Sequence, residues 1–113
     1  SQTDTEVVLR AYRRWGVASF SRLRGMFAFA LRDRTTDELL LVRDRLGIKP
    51  LYFAESGGNL IFGSELKVLF AHPSIDRRLD PEGLTWYLSL NYVPQPWTLV
   101  AGINKVRPGC FLR

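Results

Sequence analysis

Two short segments of this sequence carry charge in a pattern that does chemistry. The first is Arg43-Asp44-Arg45, which puts a carboxylate between two guanidiniums. Such a cluster is either a buried ion pair or a charged loop, and Arg–carboxylate pairing is strong and directional. Gly47 permits a tight backbone after it, and Pro50 fixes the start of the next strand. The second is Asp4, inside Thr3-Asp4-Thr5-Glu6. A carboxylate there, near a helix N-terminus, is held ionised by the local dipole. Taken alone, Asp4 has no duty beyond starting the helix.

Three further groups are weaker candidates. Cys110 is the only cysteine, so no internal disulfide can form and a cysteine-based zinc site is excluded. It reads as a packing residue, as small thiols usually are. His72 precedes Pro73, has no Cys or His partner at ligand spacing, and can cap the end of a helix. Ser1 can in principle attack with its own amine as base.

The elements that must position these groups are legible. Thr3 and Glu6 form a capping box, and Val8, Tyr12 and Trp15 recur at helical spacing until Gly16, which predicts a helix over 4–15. A short helix or turn follows over 17–24. Four strands are expected at 26–31, 39–42, 51–54 and 60–62, joined as hairpins by the polar turn 33–38 and by Gly57-Gly58-Asn59. The apolar runs at 26–31 and 39–42 imply strands covered on both faces. Ser64 can cap a helix carrying Leu66, Leu69 and Phe70. Asp80-Pro81 starts another with Leu84, Tyr87 and Leu88. From Asn91 the chain is punctuated by proline and glycine, and reads as a connecting segment with one short strand at its end. The fold class is α+β with antiparallel hairpins. Its helices can cover one side of the strands. The other side needs a second layer, and without one the chain should associate or aggregate.

Composition bounds the function. The chain has 113 residues, enough for one domain; 46% are hydrophobic and 24% charged. No apolar run reaches the ~20 residues of a membrane span. No signal peptide is evident and the thiol is unpaired, which fits a cytoplasmic protein. The net charge of +5 is spread in short arginine pairs, often beside Asp or Glu, which describes a solvated surface rather than a nucleic-acid face.

The string Arg43-Asp44-Arg45-Leu46-Gly47-Ile48-Lys49-Pro50-Leu51-Tyr52 resembles a segment of class II glutamine amidotransferases, closest to the asparagine synthetase branch. Thr3 to Val7, Arg24 to Ala30 and Phe62-Gly63-Ser64-Glu65-Leu66-Lys67 resemble that branch in the same order. So does the tail with Asn91 to Pro96, Gly102-Ile103 and Pro108-Gly109. The motif residues are Arg43, Asp44, Gly47, Pro50 and Glu65.

The resemblance implies an N-terminal-nucleophile αββα sandwich, of which residues 1–90 form a partial glutaminase domain. Residues 91–113 form a linker toward a synthetase domain. It implies that glutamine is the substrate, that Asp4 binds its α-amino group, and that an N-terminal cysteine attacks its amide. No residue here matches that cysteine, the Asn-Gly oxyanion pair or the arginine that grips the glutamine carboxylate. In the family the Asp4 motif lies many tens of residues after the nucleophile, so Ser1 reads as a truncation point. No cofactor is expected in this chain; ATP and Mg would serve the synthetase domain. The expected partners are glutamine, the missing half of the domain, the synthetase domain and a second copy of the chain. Membrane and nucleic acid are not expected. Two rivals stand beside this reading. One is a non-catalytic interaction module. The other is an RNA-binding α+β domain, for which Phe27 and Phe29 would share a strand face.

Overall fold

A computed structural model describes residues 3–113. The first helix, α1 (Asp4–Trp15), starts where the capping residue predicts: the Thr3 hydroxyl accepts from the Glu6 backbone N–H at 3.3 Å. Glu6 pairs with Arg10 one turn on, at 2.5 Å. Gly16 ends the helix at φ +60°, a conformation that costs glycine nothing. A 3-10 turn over Gly16–Arg22 follows.

Strands β1 (Ala28–Asp33) and β2 (Glu38–Arg43) form the first hairpin. Asp33 builds its turn by accepting from the N–H groups of Thr35 and Thr36. The Tyr12 hydroxyl donates to the other Asp33 oxygen at 2.9 Å and ties α1 to the hairpin. Strands β3 (Tyr52–Ser56) and β4 (Asn59–Gly63) form the second hairpin. Gly57 and Gly58, both at positive φ, make the two-residue turn.

The stretch 91–113, expected to hold one short strand, supplies two. β5 (Asn104–Lys105) pairs with β3, and β6 (Phe111–Leu112) pairs with β2. Two small antiparallel sheets result, in the orders β1-β2-β6 and β4-β3-β5.

Strand alternation sorts the core into layers. Phe29, Leu31, Leu40 and Val42 face α1 and the 3-10 turn, where Phe20 packs among them. Ala28, Leu39 and Leu41 face the other way and meet Phe53 and Phe62 of the second sheet, with Leu51 and Val106 at the ends of its strands. Ala54 and Ile61 turn to the far side, against α2 (Leu66–Phe70). The second layer demanded by the apolar runs is therefore supplied by the chain's own second hairpin. That corrects the expectation of a bare sheet face.

Three local expectations also change. Glu65, not Ser64, is the N-cap of α2, and it acts through its backbone carbonyl, which accepts from Val68. The His72 ring bonds forward to the N–H and hydroxyl of Ser74 rather than back to the helix. Cys110 is exposed, and its backbone carbonyl, accepting from the Arg43 N–H, is what the fold uses.

Helix α3 (Pro81–Leu90) starts as predicted, with Asp80 accepting from the Glu82 N–H. Only Gly83 of this helix is buried, because the backbone of Thr98 passes against it. A Cβ there would lie 2.4 Å from the Thr98 carbonyl oxygen. The predicted apolar stripe is largely bare, with Leu88 73% and Tyr87 46% exposed. No described helix is long and apolar enough to cross a membrane.

Candidate functional site

The two charged segments meet at one residue, Phe27, and behave in opposite ways. Arg43 ends β2 and Asp44 begins the loop to β3; both are buried. The sequence allows an ion pair between them, but among the described residues the structure shows none. The Asp44 carboxylate instead accepts four backbone N–H groups. Leu46 and Ile48 bond one oxygen, each at 3.1 Å; Lys49 at 3.1 Å and Phe27 at 3.2 Å bond the other. Burial by itself would raise the Asp44 pKa. The N–H groups of Ile48, Lys49, Phe27 and Leu46 outweigh it and hold the carboxyl below its ordinary value.

The Arg43 guanidinium makes four bonds of its own. It donates to the carbonyls of Lys49 at 2.8 Å, Gly47 at 2.6 Å and Val106 at 2.6 Å, and to the Gln95 side chain at 2.5 Å. Burial lowers its pKa, opposed by the charges of Asp44 and Tyr52. Gly47 sits at φ +65°, and a Cβ there would meet the Pro108 ring at 2.7 Å. Pro50 is exposed and delivers the chain to buried Leu51. Four of the motif residues thus knot β2, the loop and the tail together. Glu65 stands apart at the start of α2, in an exposed pair with Lys67 at 3.1 Å. A knot whose carboxylate takes four backbone N–H groups and whose guanidinium makes four internal bonds is committed to holding the loop.

Asp4 is different. It is exposed in the first turn of α1 and opens onto a groove of about 320 Å³ between that helix and β1. Val8, Leu9, Phe27, Phe29 and Leu31 form its apolar wall. β1 is the outer strand of its sheet, so the groove runs along an edge with no neighbouring strand. A carboxylate at the mouth of such a groove can hold an ammonium while the wall holds an aliphatic stem.

Phe27 and Phe29 pack with their ring centres 5.7 Å apart, and Phe29 also meets Phe20 beneath α1. Both rings are half-buried, packed against the core on one side and lining the groove on the other. Among the described residues no group of His, Cys, Asp and Glu can hold a metal ion. Sequence reasoning missed Gln95, whose distance of 52 residues from Arg43 leaves no local signal.

Comparison with known proteins agrees with these motifs. The chain matches the glutamine amidotransferase domain family over residues 1–113, and it belongs to that family. A protein of Mycobacterium tuberculosis (strain ATCC 25618 / H37Rv), a putative glutamine-hydrolyzing asparagine synthetase, is 43% identical over 97% of this chain. Glutamine-hydrolyzing asparagine synthetase 3 of Bacillus subtilis (strain 168) is 40% identical over 94% of it. Amidase chry2 of Gibberella zeae is 36% identical over 97% of it. The chain spans 17% of the length of the first two and 16% of the third.

Proposed function

We propose that these residues are the later part of a glutaminase domain, in which Asp4 receives the α-ammonium of glutamine. The parent enzyme is an asparagine synthetase-like amidotransferase of the N-terminal-nucleophile class. What supports this is the groove itself: a carboxylate with no side-chain partner among the described residues, lining an apolar channel beside a strand edge. The layering of helix, sheet, sheet and helix is the arrangement expected of part of an αββα sandwich.

In the longer polypeptide a cysteine thiolate attacks the glutamine amide carbon. A glutamyl thioester forms and ammonia leaves. The synthetase part, using ATP and Mg, then makes the acyl group that ammonia attacks, most simply from aspartate. The nucleophile, the oxyanion donors and the carboxylate-binding arginine belong to polypeptide outside these 113 residues, so the isolated chain releases no glutamate from glutamine.

The test is Asp4→Ala in the longer enzyme. Losing one charge-assisted contact of ~1.5–3 kcal/mol raises the glutamine KM by roughly 10–150-fold. Ammonia-dependent synthesis survives. Equal loss of both activities would show that Asp4 holds the fold rather than the substrate.

A further inference from the structure

A second site lies on the other sheet, away from Asp4, and its key residue is Lys105 on β5. Lys105 is half-buried, and its Nζ lies 5.8 Å from the centre of the Tyr52 ring. No carboxylate among the described residues pairs with it; the ion pairs found there involve other side chains. The charge that acts on it has the same sign. Burial first, and the Arg43 guanidinium second, push the ammonium below its ordinary pKa. Arg43 is itself a cation, held by three carbonyls and Gln95, so it offers Lys105 no relief. An ammonium taken partly out of water with no counter-charge is costly.

The same lysine faces a cleft of about 750 Å³ whose walls include Tyr52, Tyr87, Asn91, Tyr92 and Pro94 and contain no acidic residue. That volume falls within the ~300–1,000 Å³ range of small-molecule sites. Of the four tyrosines, only Tyr12 has its hydroxyl bonded among the described residues, so Tyr52, Tyr87 and Tyr92 keep theirs for solvent or a ligand. One cation with no carboxylate partner among the described residues and three tyrosines line one space.

We propose that this cleft binds a carboxylate carried on an aromatic or branched apolar body, with the carboxylate on Lys105 and the body against Tyr52, Tyr87 and Tyr92. The carboxylate belongs either to a free organic acid or to an acidic side chain flanked by aromatic residues in a polypeptide. The chemistry is the same for both, and it does not depend on what Asp4 binds.

The test titrates the 113-residue chain with phenylacetate and with its uncharged isostere phenylacetamide. In parallel it uses acetyl-Phe-Glu-Phe-amide and the peptide with Gln in place of Glu. Amide shifts at Lys105, Tyr92 and Leu99 report occupancy. Each acid should bind saturably and at least tenfold more tightly than its neutral counterpart. Lys105→Gln should remove that preference, Lys105→Arg should keep it, and Tyr92→Ala should weaken both members of a pair alike. Tighter binding of the peptide names a polypeptide as the source; tighter binding of phenylacetate names a free acid. Equal affinity for acid and neutral isostere, an unchanged preference in Lys105→Gln, or no binding of either acid overturns the proposal. If Lys105→Gln fails to fold, the comparison of acid with isostere on the unaltered chain still decides.

Discussion

Asp44 and Asp4 are both aspartates beside the first hairpin, and their surroundings are opposites. Asp44 is sealed in and accepts four N–H groups; Asp4 is exposed at the mouth of an open groove. The longest motif in the sequence surrounds the first, yet the second is the one with capacity to spare. A charged motif can therefore be a structural knot, and what distinguishes a binding residue is a charge that the fold has left unmatched. Lys105 meets that criterion too, whereas Arg43 does not.

The sharpest way to break this contrast is Asp44→Ala. It strands four part-buried backbone donors, each of which costs up to ~1–3 kcal/mol where water cannot reach it. We expect a loss of at least ~3 kcal/mol, a large share of the ~5–15 kcal/mol typical of a domain. Urea unfolding followed by circular dichroism measures it. A loss under ~1 kcal/mol would mean that water replaces the carboxylate and that the knot is not what holds the loop.

Arg43→Lys should rank next, at ~2–3 kcal/mol. An ammonium cannot reach the carbonyls of Lys49, Gly47 and Val106 together with Gln95, as the planar fork does. The same denaturation curves read it.

Acid sharpens the comparison further. The folded pKa values of Asp44 and Asp33 are both depressed; Asp33 is held down first by the Thr35 N–H and then by Tyr12. Their contribution to stability is fully present above the unfolded aspartate value of ~3.9. It is lost as pH falls below that toward the lower folded values. Unfolding curves at pH 7 and pH 3 should therefore differ in midpoint, with the pH 3 curve the weaker. In Asp44→Asn that difference should shrink.

Tyr12→Phe removes one hydrogen bond between α1 and the hairpin turn, worth ~0.5–1.5 kcal/mol. The smallest effect on stability belongs to Asp4→Ala. It forfeits only a first-turn charge, ~0.3–1 kcal/mol, with the chain still folded. A collapse of the fold in Asp4→Ala would erase the distinction between the two aspartates.

Local order is legible in the residue types themselves. The α1 start at Thr3, its stop at Gly16, both hairpin turns and the Asp80-Pro81 start of α3 each rest on residues within four positions of one another. Short-range backbone chemistry decides such features, so the residue types carry the signal. Ser64 misled because a serine before a helix is a sound cap in general. In this chain the five-residue α2 begins one residue later and is capped by a carbonyl that every residue type possesses.

From the sequence alone came the α+β class, the strands, the motif order that marks the amidotransferase family, and Asp4 as a carboxylate in a first helical turn. Only tertiary packing decided that the second hairpin covers the first and that the tail adds a strand to each sheet. It also decided that Asp44 is bonded by backbone rather than by arginine, and that Lys105 has no carboxylate partner among the described residues. The reason is range. Helix caps and turns are set by neighbours along the chain, whereas burial and charge pairing are set by residues such as Gln95 and Val106, more than fifty positions from the Arg43 they bond.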